Sequence, residues 1–148
     1  MAQNQLKQEE IEYLLSLLKS SLVETIGFPE KGESETFQVK SNISSDLFDI
    51  NIYRGNVNRN KYNISAVIEK NSIPILELHI NPGNRHTNPD GSIIEGNHWH
   101  IYSEEYERRQ AFPADELSSE RFIENTIAFL DKFNVIEKPD ISYQLEIV

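Results

Sequence analysis

The apolar positions of this chain change period twice. Along residues 6–27, "LKQEEIEYLLSLLKSSLVETIG", Ile11, Leu14, Leu15, Leu18 and Leu22 recur at the i, i+3, i+4, i+7 spacing of one helix face. Glu9, Glu10 and Glu12 fall in the early turns, where the helix dipole favours negative charge, and Gly27 and Pro29 supply a stop. From residue 36 the period becomes two. Residues 36–41 alternate through Phe37 and Val39, and residues 47–54 through Phe48, Ile50 and Ile52. Residues 61–70 alternate through Tyr62, Ile64, Ala66 and Ile68, and residues 73–80 through Leu76, Leu78 and Ile80. These read as half-buried antiparallel strands, with Pro74 at the beginning or edge of its own. The link at residues 54–61 is rich in Asn and glycine, both suited to turns.

A loop follows at residues 81–91, with two Asn-Pro steps and two glycines, and residues 92–103 return to strand. Residues 104–119 are polar and irregular. Residues 119–133 predict a second helix with Phe122, Ile123, Ile127, Leu130 and Phe133 toward the core and Ser118 or Ser119 as its cap. Residues 140–148 alternate through Tyr143, Leu145 and Ile147 as a final strand. The order helix, strands, helix, strand predicts an α+β fold: a single antiparallel sheet packed with an N-terminal and a C-terminal helix. A length of 148 residues suits one domain, 1–148.

Composition narrows the chemistry. The chain has no cysteine, so disulfides, thiolate zinc sites and cysteine nucleophiles are excluded. The polar N-terminus and the lack of a long apolar run predict an intracellular protein with no signal peptide or membrane span. The net charge of −10 argues against direct nucleic-acid binding, which needs a basic footprint, and suits attraction to a basic protein surface. Acids outnumber bases seven to three in residues 1–35 and eleven to five in residues 101–148.

All four histidines, His79, His86, His98 and His100, fall within residues 79–102. On a strand, i and i+2 share a face, so His98 and His100 project together while Trp99 points to the core. Pairing of the two strands brings His79 near them, and the loop brings His86 over the top. Imidazole is a strong ligand for zinc, and also for nickel, copper and iron(II). Glu77 and Asp90 are candidate partners for the outer ring nitrogens, or oxygen ligands if His79 is not one. Four histidine ligands describe a closed structural site. Three with a water describe a catalytic one, with Glu95, Glu104 and Glu105 as candidate bases. The chain has no phosphate-binding glycine loop, nucleophile elbow or His-Glu-x-x-His helix. Metal-free RNA cleavage by paired histidines also lacks a basic surround, with only Arg85 close by and Arg108 and Arg109 further on.

The segment "RHTNPDGSIIEGNHWHIYSEEYERRQAF" resembles the central signature of a family of small, largely uncharacterised proteins of bacteria and their prophages. The matching features are His86, the turn Asn88-Pro89-Asp90-Gly91, the pair His98 and His100, and Tyr102. The opening "EEIEYLLSL" also fits. The resemblance implies a metal-binding α+β fold, with an acid in many relatives at the position of His79. In size, acidity and histidine clustering the chain is also similar to a type II anti-CRISPR metalloprotein of streptococci. That resemblance implies a phage-derived protein acting in the bacterial cytoplasm. It would carry one structural zinc ion and bind a type II CRISPR nuclease, whose nucleic acids lie in a positively charged channel. The alternative expectation is a toxin-like, metal-dependent hydrolase or nuclease using the same histidines.

Overall fold

The computed structural model describes residues 6–56, 61–118 and 120–143. The chain opens with helix α1 (Gln8–Ser16) and continues through β1 (Lys19–Ser21), β2 (Thr25–Gly27), β3 (Ser34–Ser41), β4 (Leu47–Arg54) and β5 (Tyr62–Ile68). It then forms β6 (Pro74–Ile80), β7 (Arg85–Thr87), β8 (Ile93–Glu95), β9 (His98–Ile101) and β10 (Ala111–Pro113). Helix α2 (Phe122–Lys132), β11 (Val135–Glu137) and β12 (Asp140–Ser142) complete it. The main sheet runs β10-β9-β6-β5-β4-β3-β1-β11. The fold is α+β, as the pattern predicts. The sheet is antiparallel throughout except at its far edge, where β1 and β11 run parallel. Two small sheets stand beside it: a parallel β2–β12 pair and the β7–β8 hairpin.

The alternation of the central strands sorts the two faces. Phe48, Ile50, Ile52, Tyr62, Ile64, Ala66, Leu78 and Ile80 are fully buried on one face. Each large apolar side chain so buried contributes about 1.5–3 kcal/mol over exposure, enough to fix register against a one-residue slip. Helix α2 covers this face. Phe129 stacks 6.2 Å from Trp99, Phe133 meets Phe48 edge-on at 5.0 Å, and Asn125 Nδ2 donates to the Tyr62 hydroxyl at 2.7 Å. Ile11 and Leu14 of α1 join the same core. The opposite face is polar. One cross-strand row reads Asn51, Ser65, Glu77, His100, and the next reads Tyr53, Asn63, His79, His98.

The N-terminal helix is much shorter than its sequence period. It ends at Ser16, Leu17 turns extended at φ −57°, ψ 134°, and Lys19–Ser21 pair between β3 and β11. Leu18 and Leu22, expected on the buried helix face, are consequently exposed. Lys19 becomes one of the most buried side chains. Its Nζ donates to the carbonyls of Leu17 and Phe133, each at 2.8 Å, and of Leu15 at 3.3 Å, and lies 3.9 Å from the Phe133 ring centroid. These carbonyls belong to the C-terminal ends of both helices, where backbone dipoles favour a cation.

Helix α2 also differs in detail. Its core residues include Phe129, while Ile127 faces outward. Its N-cap is Arg121, and among the described residues no side chain caps it. Ser118 instead accepts from Asn125 Nδ2 through its carbonyl, and Ser119 lies outside the described residues. Of the expected last strand only its beginning, β12, is described, since residues 144–148 lie outside the described residues. Pro74 does begin β6, as its missing N–H requires.

Candidate metal centre

Strand register builds the histidine cluster. His79 on β6 stands directly opposite His98 on β9, and Glu77 stands opposite His100. Ligand nitrogens of His79, His98 and His100 lie within 4.8 Å of one another, close enough to share one ion. Their ring centroids are 5.1 Å apart for His79–His98, 4.7 Å for His79–His100 and 4.9 Å for His98–His100. The fourth ring, His86 on β7, lies 4.9 Å from His100 and 5.7 Å from His98, outside the three-nitrogen set. Zinc–nitrogen bonds of about 2.0–2.1 Å at tetrahedral angles place imidazole centroids about 5 Å apart. The observed spacings match that figure.

Every ring has one nitrogen committed to an oxygen. His98 Nδ1 donates to the Gly96 carbonyl at 2.9 Å, and His100 Nδ1 to the Arg108 carbonyl at 2.6 Å. His86 Nε2 donates to the Arg109 carbonyl at 2.8 Å. His79 Nε2 faces Glu77 Oε1 at 3.4 Å. A carbonyl only accepts, so the contacting nitrogen carries the proton and the other keeps its lone pair. Metal-binding histidines are held in this way, with the tautomer and ring plane fixed from behind.

The electrostatics favour neutral rings at His98 and His100. Burial lowers the His100 pKa to about 4, aided by His79 and His98 beside it. Burial also lowers that of His98. Neutral imidazole is the ligand form. Burial alone would raise Glu77, but hydrogen bonds from His79 and Arg108 and the Arg108 charge outweigh it and hold the carboxyl at about 2. Arg108 grips it with Nε at 2.8 Å and Nη2 at 2.7 Å. A Glu77 held in its ionised form is suited to orienting His79.

The loop that carries His86 is built by the Asn-Pro-Asp-Gly turn. Gly91 adopts φ +90°, a region L side chains rarely enter, which lets the chain reverse between β7 and β8. Asn88 is buried and works as a short strand partner. Its Oδ1 accepts from the Ala111 N–H at 2.8 Å, and its Nδ2 donates to the Ala111 carbonyl at 3.1 Å. The turn is thereby fastened to β10, and the outer edge of β10 is blocked at Ala111.

The other expected residues divide. Glu77 stands against a ring nitrogen of His79, the contact expected of it. Asp90 does not, because its Oδ1 accepts from the backbone N–H and hydroxyl of Ser92 at 2.9 and 2.6 Å, closing the turn. Glu95 is exposed on β8 opposite Arg85, and Glu104 is bound to the Gln8 N–H at 2.8 Å. Trp99 lies in the core, as expected. The residue that sequence reading missed as part of the site is Arg108, whose side chain holds Glu77 and whose carbonyl holds His100. Its only signal was a basic pair in an acidic segment. Among the described residues no helix is long and apolar enough to cross a membrane.

Comparison with curated proteins and with solved structures finds no match. A family model does match, over residues 6–135, a span that contains both helices, the main sheet up to the first residue of β11, and all four histidines. The chain belongs to this family, described as Family of unknown function (DUF6978).

Proposed function

We propose that this chain is a zinc-stabilised inhibitor that binds a type II RNA-guided DNA nuclease, with the ion held by His79, His86, His98 and His100. The observation that carries the metal reading is the outer-nitrogen pattern: all four rings are tethered to an oxygen on one side. Zinc fits the all-nitrogen donor set and the tetrahedral spacing. Bound there, the ion would pin the β7–β8 hairpin and the segment around Arg108 to the sheet, supplying a cross-link that a chain without cysteine cannot get from disulfides. The nuclease as partner rests on the resemblance in size, acidity and histidine clustering to a type II anti-CRISPR metalloprotein, and the charge of −10 suits a basic protein surface. In a cleavage assay, inhibition should be stoichiometric and weaken with salt. One molecule inactivating many nucleases would contradict it.

One observation favours a second reading, a metal-dependent hydrolase or nuclease. The set within 4.8 Å holds three histidines, and three protein ligands leave a position for water. Cleavage of RNA, DNA or phosphoesters with zinc or manganese, abolished by His98→Ala, would establish it. Against it, Glu77 is locked between Arg108 and His79 and is not free to act as a base.

A further inference from the structure

A groove of about 720 Å³ lies at the β10 end of the sheet, away from the histidines' own contacts. Gln8, Ile101, Glu104, Glu105, Tyr106 and Phe112 are among its walls. Among the described residues the walls include two carboxylates and neither Lys nor Arg. Its apolar lining includes Ile101 and Phe112, the latter 42% exposed. The walls are tied together: Gln8 N–H donates to Glu104 Oε1 at 2.8 Å, and Glu104 N–H donates back to Gln8 Oε1 at 3.0 Å. Two cations stand beside it: Lys7, whose Nζ is 3.9 Å from Glu104 Oε2 and largely exposed, and Arg109, whose Nε donates to the Tyr106 carbonyl at 3.1 Å.

We infer that this groove docks a Lys- or Arg-bearing segment of a partner protein, with the aliphatic stem on Phe112 and Ile101 and the cationic head on Glu104 and Glu105. Long basic side chains have this division: an apolar stem and a charged tip. Strand addition is not the mode, because Asn88 already occupies the edge of β10 at Ala111. The inference rests on the reading that the chain acts by contact with a basic protein surface, and it locates that contact.

The test uses the full chain and a synthetic peptide of alternating Lys and Leu, followed by amide chemical shifts. Shifts are expected to cluster at Gln8 and residues 101–112. Glu105→Lys should weaken binding about fivefold or more, while Glu30→Lys on the remote acidic turn leaves it unchanged. Phe112→Ser should weaken it without reversing a charge. Binding centred elsewhere, or equal losses for Glu105→Lys and Glu30→Lys, would overturn the groove but leave the contact reading standing. Absence of binding at any site would overturn both.

Discussion

Arg108 holds Glu77 with two parallel hydrogen bonds, 2.8 Å from Nε and 2.7 Å from Nη2, while its own carbonyl accepts from His100 at 2.6 Å. One residue outside the strands thus fixes two residues of the candidate metal centre. Its side chain acts through Glu77 on His79, and its backbone acts on His100 directly. The planar guanidinium matches the carboxylate fork, a geometry that lysine cannot reproduce.

Arg108→Gln should therefore weaken metal binding about 10–100-fold without abolishing it, since the four imidazoles remain. Arg108→Lys should recover only part of the loss. Competition against a chelator of known affinity measures both. Unchanged affinity in Arg108→Gln would show that Glu77 does not need its partner to orient His79.

Asn88→Ala should destabilise the fold by about 1–3 kcal/mol, because the N–H and C=O of Ala111 are left buried without partners. Asn88→Asp keeps the acceptor and loses the donor, so its cost should be mainly at the Ala111 carbonyl. Urea denaturation of both variants checks the size, and a cost near zero for Asn88→Ala would mean that water replaces the side chain.

Lys19 predicts a pH dependence. Burial lowers its pKa from 10.5 to about 7, so above pH 7 the folded chain sheds a proton that the unfolded chain keeps. The unfolded state then binds more protons between about pH 7 and 10.5, and this group's contribution to stability rises with pH across that window. Below pH 7 both states are charged and the burial cost is constant. Lys19→Met should lose the slope. Parallel stability curves for wild type and variant between about pH 7 and 9.5 would show that the carbonyl cage keeps Lys19 charged.

The strands were legible because alternation is local: Phe48, Ile50 and Ile52, or Tyr62, Ile64 and Ala66, declare their buried face without reference to the rest of the chain. The first helix was overread for the same reason. Leu18 and Leu22 extend the rhythm of Ile11 and Leu14, but Lys19 leaves the helix to pair with Val135, and no local period reports a partner from the other end of the chain. The three histidines of β6 and β9 could be brought together from the i, i+2 rule and strand pairing. What holds them could not: the acceptors for His86, His98 and His100 are backbone carbonyls, which every residue possesses. The same limit hid the exchange between Asn88 and Ala111.

Removal of the proposed ligands should cost stability as well as metal. His98→Ala and His100→Ala should each melt below wild type, with about 2–4 °C lost for every kcal/mol in a chain of this size. Adding zinc should raise the wild-type midpoint and leave both variants in place. Equal zinc-induced shifts in all three proteins would place the ion elsewhere.

The most direct test is the metal content of untagged protein purified without added metal, measured by elemental analysis alongside His98→Ala and His100→Ala. The metal centre predicts about one zinc per wild-type chain and loss of it in both variants. A folded wild-type chain without metal, or variants that retain it in full, would contradict the site.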